Sequence, residues 1–194
     1  MKNLMKFIGL ALLTITMAFT TVEKKTIVID VSHGGKDPGT SVSGFNEKEI
    51  ALNIANKIKE LNKNSNVEII LTRDNDKFLT LNERANKINE LKPDFVISLH
   101  VNSTDNEKEN GKEIFISDKN SQKEKSGDLA LKLFYGFDNG KVEIKKADFY
   151  LLKKVEYPIA LIELGYLTNK NDREIMTSEK GQYELAESIL NVIK

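Results

Sequence analysis

A chain of 194 residues, 40% of them apolar, is long enough to bury one substantial core and too short to hold two comfortably. Its 29 basic side chains balance its 29 acidic ones, which removes the electrostatic motive for nucleic acid or an anionic membrane surface as a partner. Cysteine is absent, excluding a disulfide framework, a thiolate metal site and a lipid-bearing cysteine.

Lys2 and Lys6 stand ahead of an apolar run that covers residues 7–13 and continues through Ile15, Met17, Ala18 and Phe19. With small residues at Ala18 and Thr20 this is the three-part pattern of a signal peptide, assigned to residues 1–20. The alternative, an uncleaved anchor helix, has an apolar run shorter than the ~20 residues a bilayer span needs. On either reading the domain at 25–194 leaves the cytoplasm, with the periplasm preferred to full secretion and no stable membrane insertion once the leader is cut. Losing Lys2 and Lys6 leaves 27 basic residues of the original 29 against 29 acidic, still close to balance.

Residues 25–31 form a β-branched run without alternation, as in a strand buried on both faces, and a Gly-rich stretch ending in Asp37, Pro38 and Gly39 follows. From Asn46 the spacing of Ile50, Ile54, Ile58 and Leu61 is helical, with Asn46 as N-cap and Glu49 at the third position. A strand at 67–71 comes next. Thr80 and Glu83 make a cap pair ahead of Leu81, Ala85, Ile88 and Leu91, and Pro93 ends that helix. A third buried strand occupies 95–99, and the charged, Asn-rich segment 104–111 is a loop. A short strand at 113–116, a helix at 128–134, a core strand at 159–162 and a closing helix at 183–193 complete the chain. Strands alternating with helices predict a single α/β domain whose mixed, mostly parallel sheet is flanked by helices on both faces.

The only two histidines, His33 and His100, each follow a buried-strand pattern. Ligands gather at the carboxyl ends of strands in such sheets, and imidazole is a common zinc ligand. A lone histidine in such a place is more often a hydrogen-bonded structural residue, but two out of two at strand ends shifts the weight toward a metal site. Glu47, opening the helix after the His33 loop, is the leading third ligand, with Asp30 and Asp37 as competitors; it also reads as an exposed acid favoured by the helix dipole. Glu163 continues the apolar run 159–162, and a carboxylate buried there needs a cation, a metal, a strong hydrogen bond or a proton. It is a candidate general base, or else the ion-pair partner of Arg73 or Arg84. Asn102 and Arg84 read as braces of the sheet or as groups that orient substrate.

Four ordered stretches carry a resemblance. Residues 29–39 around His33, the pair Glu47 and Lys48, residues 97–103 around His100 and residues 163–169 from Glu163 resemble the zinc-dependent N-acetylmuramoyl-L-alanine amidases of the amidase-3 kind. The likeness runs from about Thr26 to the C-terminus and takes in Leu71, Thr72, Arg73, Asp76, Leu81, Arg84 and Asn89. It implies one Zn2+ held by His33, Glu47 and His100, with Glu163 as the catalytic glutamate. The implied substrate is peptidoglycan, cut at the amide between N-acetylmuramic acid and the L-alanine of the stem peptide. Two positions depart from the usual pattern: Val31 and Ser32 replace Pro-Gly before His33, and Val101 replaces a smaller residue after His100.

Some members of that family carry an inserted helix that covers the site until an activator moves it. Between His100 and Glu163 the sequence shows one polar loop and one ordinary helix. A monomer with an open site and no obligatory activator is therefore expected. The rival readings are a zinc hydrolase of soluble muropeptides and a non-catalytic cell-wall-binding protein of the same fold.

Overall fold

The computed structural model describes residues 24–137 and 140–193; the segment assigned as a signal peptide lies outside them. Among the described residues no helix is long and apolar enough to cross a membrane.

Six strands form one sheet in the order β4-β1-β5-β8-β6-β7: β1 Lys25–Val31, β4 Val67–Leu71, β5 Phe95–Asn102, β6 Lys112–Ile116, β7 Val142–Lys146 and β8 Ile159–Tyr166. The first four in that order run parallel, β6 is antiparallel to β8, and β7 is parallel to β6. This is the mixed, mostly parallel α/β sheet the sequence predicts. A small hairpin, β2 Ser41–Val42 with β3 Phe45–Asn46, stands apart from it.

Strand side chains alternate between the two faces, so each strand feeds two cores. Ile27, Ile29, Ile97, Leu99, Ala160 and Ile162 join the larger core. There they pack with α1 Glu47–Leu61, α3 Lys123–Gly136 and α6 Glu179–Ile193. Val28, Val96, Ile159 and Leu161 face a smaller core closed by Ala85 and Ile88 of α2 Leu81–Leu91 and by Leu151 and Leu152 of α4 Tyr150–Lys154. The remaining helix, α5 Lys170–Thr177, packs beside α6.

Continuing the same alternation toward the carboxyl ends puts Asp30, Ser98, His100 and Glu163 on the thinly covered face. The register sets His100 against Glu163 on neighbouring strands, and Glu163 against Glu113 of β6. The chemistry-bearing residues thus collect beyond the point where α2 and α4 stop covering the sheet.

Local signals act largely as expected. Thr80 and Glu83 make the reciprocal capping box of α2, and the helix ends at Lys92 in a left-handed conformation before Pro93. Asn46 does not cap α1 with its side chain. It closes the β2–β3 hairpin instead, accepting from Ser41 Oγ at 2.8 Å and donating to Glu49 at 3.3 Å. The interval between His100 and Glu163 is also richer than the sequence suggests, holding β7 and α4 as well as the loop and α3.

Candidate active site

His33 leaves the end of β1 in a left-handed backbone conformation, φ 54°. A bulky residue held there needs over-determined surroundings, and two arginines supply them. Arg73 donates to the carbonyls of Val31 at 3.2 Å, Ser32 at 2.6 Å and Lys48 at 2.8 Å. Arg84 reaches the carbonyls of Val31 and His33, and pairs with Asp30 at 3.1 Å. The guanidiniums are therefore committed to the β1 loop and to Asp30, and not to Glu163. Three carbonyls of that loop, those of Val31, Ser32 and His33, draw them in, since a fixed fork of donors suits several acceptors at once.

Asp30 is likewise no metal ligand. It is fully buried, and its oxygens take Thr72 Oγ1 at 2.9 Å, Ser98 Oγ at 2.7 Å and Arg84. Asp37 stands behind the cluster, with its Oδ2 2.8 Å from His33 Nδ1. That contact turns the other ring nitrogen of His33 toward the site, the orienting role that a second carboxylate commonly plays behind a ligating histidine.

Glu47, His33 and His100 converge. Glu47 Oε1 lies 3.1 Å from His33 Nε2 and 3.0 Å from His100 Nδ1, and one potential ligand atom from each residue falls within 4.8 Å of the others. Glu47 is fixed from behind by the backbone N–H groups of Val101 at 3.1 Å and Thr40 at 3.0 Å, with Ser32 Oγ at 3.4 Å. A Cβ on Gly39, whose φ is 66°, would sit 2.4 Å from Glu47 Oε2 and 2.7 Å from the His33 ring, so the loop closes on the cluster only because that position is bare.

Electrostatics match a cation-binding arrangement. Burial opposes ionisation of Glu47, but hydrogen bonds from His100 and His33 outweigh it and hold the carboxyl well below the usual carboxylate range. Burial also works against a charged His33, yet its bonds to Glu47 and Asp37 raise its pKa. Two imidazoles and one ionised carboxylate, without sulfur, form a donor set that suits a divalent transition metal.

Glu163 stands apart from this cluster in one respect: its Oε2 is shut off from solvent and has no hydrogen-bond partner. Burial pushes its pKa up to about 7, with the nearby Glu47 and Glu113 carboxylates adding to the rise against the pull of His100 and His33. A carboxyl poised there accepts or gives a proton at neutral pH. Glu113, its cross-strand neighbour, is itself engaged by Tyr166 Oη at 2.7 Å, Asn102 Nδ2 at 3.2 Å and Lys145.

Glu163, Glu47, His33 and His100 share one cavity of about 380 Å³, walled further by Leu81, Phe149, Tyr150, Leu151 and Leu161. The α4 wall was not legible in the sequence, because five residues offer no helical period. Nor were the orienting roles of Asp37, Ser32 and Thr40, whose only signal is proximity to His33 and Glu47 in the chain.

Comparison with known proteins agrees with this geometry. The family model described as N-acetylmuramoyl-L-alanine amidase matches residues 27–194. An uncharacterized protein of Bacillus subtilis, YqiI, is 31% identical over 188 residues, covering 96% of this chain and 91% of that protein. The N-acetylmuramoyl-L-alanine amidase LytC of the same organism is 34% identical over 152 residues, which are 76% of this chain but 30% of LytC. Among solved structures, an N-acetylmuramoyl-L-alanine amidase from Clostridium difficile 630 superposes with a TM-score of 0.81 at 28% identity, covering 88% of this chain and 95% of that one.

Proposed function

The chain belongs to the N-acetylmuramoyl-L-alanine amidase family, and from that premise we propose that it hydrolyses the amide joining N-acetylmuramic acid to the L-alanine of the peptidoglycan stem peptide. The observation that carries this reading is the Glu163 carboxyl, one oxygen of which has no hydrogen-bond partner, lining one cavity with the His33, Glu47 and His100 cluster.

His33, Glu47 and His100 would hold one zinc ion. The fit rests on the donor set and on the preformed geometry: the backbone N–H groups of Thr40 and Val101 fix the carboxylate, and Asp37 fixes the tautomer of His33. Zinc supplies Lewis acidity, polarising a carbonyl and acidifying water. Glu163 does the proton work. Its carboxylate takes a proton from the attacking water and delivers it to the departing nitrogen, because an amide anion leaves poorly without one. Its raised pKa suits both halves of that transfer near pH 7.

The substrate enters from the face that α2 and α4 leave uncovered. The short helix α4 walls the cavity on one side without filling it, which supports an open site that needs no obligatory activator. The leader-like residues 1–20 support export, to the periplasm in preference to full secretion.

The test is digestion of purified peptidoglycan by the mature domain, with and without a chelator, and identification of the new ends. Chelator-sensitive release of peptides with a free L-alanine amino terminus, leaving glycan strands intact, is expected. Release of sugar fragments, cleavage inside the peptide, or turnover confined to soluble muropeptides would each displace this reading.

A further inference from the structure

The three residues of the cluster come from three different supports. His100 lies on β5, which the sheet ladder holds in register with β1, Val31 against Leu99. His33 stands in the loop after β1, and Glu47 opens α1 only after a further turn and the β2–β3 hairpin. Among the described residues, no strand pairing of the main sheet reaches the first turn of α1. Its backbone N–H groups tie it to the connecting loop alone, Glu47 to the Thr40 carbonyl at 2.9 Å and Lys48 to that of Pro38 at 3.1 Å. A fixed spacing between His33 and Glu47 needs a further tie.

The turn after β4 supplies it. Arg73 is 3% exposed, and its Nη2 donates both to the Ser32 carbonyl at 2.6 Å, next to His33, and to the Lys48 carbonyl at 2.8 Å, next to Glu47. Its Nε donates to the Val31 carbonyl at 3.2 Å and its Nη1 to that of Asn75 at 3.1 Å, which folds the turn around the side chain. Three residues on, Asp76 repeats the link from the outside. Its Oδ1 accepts from the Gly35 N–H at 2.7 Å and its Oδ2 from Lys48 Nζ at 2.8 Å, and the same ammonium donates to the Gly35 carbonyl at 2.9 Å. The two loops lie so close that a Cβ on Gly34, whose φ is 124°, would run into the Lys77 carbonyl and Arg73 Nε.

Stability alone is a weak account of an arginine in this place. Every acceptor on its donors is a main-chain carbonyl. Burial and the neighbouring Arg84 guanidinium work against its charge, and Asp76 and Asp30 offset only part of that. A buried cation with no carboxylate on its own donors contributes little to stability, and a positive charge beside a cation-binding cluster repels the ion. Against both stands a rigid planar fork that serves four acceptors at fixed angles, which an ammonium cannot do.

Resting on the zinc reading of the cluster, we propose that Arg73 is a positioning residue for metal binding. Its guanidinium, with Asp76 on the outer side, locks the His33 loop to the first turn of α1, so that His33 and Glu47 stand at the spacing one ion requires. The turn after β4 thus serves the site without contributing a ligand to it.

Metal affinity tests this without turnover. The metal-free parent, Arg73→Met, Arg73→Lys and Asp76→Ala are titrated with Zn2+ against a chromogenic chelator, and the melting temperature of each is taken without metal. Both Arg73 variants should weaken zinc by at least about tenfold, the lysine included, because it keeps the charge and loses the fork. Asp76→Ala, at a side chain 57% exposed, keeps the metal-free fold and should weaken zinc by about threefold. Lower melting temperatures with unchanged zinc affinity would make Arg73 a plain brace of the scaffold. Tighter zinc in Arg73→Met, with parent affinity in Arg73→Lys, would make its effect one of charge. Either result overturns the proposal. If the Arg73 variants do not fold, the loss in Asp76→Ala sustains it and unchanged affinity there overturns it. Failure of the zinc reading shows separately, in a parent that takes no zinc from the chelator, which overturns both.

Discussion

Arg84→Met tests the idea that the loop carrying His33 is held by charge. Methionine keeps an apolar stem in the space and removes every N–H donor of the guanidinium. The lost contacts are the pair to Asp30 at 3.1 Å and the bonds to the carbonyls of Leu79, Val31 and His33. Asp30 is fully buried and Arg84 is 2% exposed, so water cannot take over. The Thr72 and Ser98 hydroxyls remain on Asp30, but they do not balance a charge. Leaving one member of a buried ion pair unpaired costs about 3–5 kcal/mol. For a domain of this size that lowers the melting temperature by roughly 6–20 °C, at about 2–4 °C per kcal/mol. Thermal and urea unfolding of the metal-free protein, with Asp30→Asn alone and in combination, gives the double-mutant cycle. The combined variant should recover a large part of the loss, since no charge is then stranded. A loss below about 1 kcal/mol for Arg84→Met, or strict additivity in the cycle, would refute the reasoning.

Glu163→Gln should abolish turnover while zinc binding, measured by competition with a chromogenic chelator, stays near the parent value; His33→Ala and His100→Ala should lose both. The same glutamine has an opposite effect on stability. A carboxyl raised from 4.5 to about 7 in the folded chain favours folding fully below pH 4.5, and that advantage disappears as the pH climbs through 7. The metal-free Gln variant should therefore match the parent in mild acid and exceed it above neutrality by roughly 2–3 kcal/mol, after a discount for partial exposure. Gly39→Ala should weaken zinc binding by at least about tenfold, because its methyl would displace Glu47 and His33, and chelator competition measures it directly.

How much of this was legible in the sequence depended on whether a residue's role is local. The buried runs announced β1, β4, β5 and β8, since β-branched residues without alternation have few other homes. His33, His100 and Glu163 stood out because they interrupt or end such runs. Glu47 could not be separated from a helix-dipole acid, since what distinguishes it is contact with rings 14 and 53 positions away along the chain. β7 escaped because a charged edge strand carries no apolar signature: its pattern Val-Glu-Ile-Lys-Lys leaves every residue partly or fully exposed. The arginines were misdirected toward Glu163 because the sequence does not display the carbonyls that the left-handed turn at His33 aims inward.

The knot of Asp30, Arg84, Thr72 and Ser98 has a consequence for how the protein is equipped. It joins β1, the end of β4, β5 and α2 with bonds that require no ion, directly beneath the residues that would receive one. The fold can thus be assembled before any ion is bound, and the ion would then enter a site whose supporting bonds are already made.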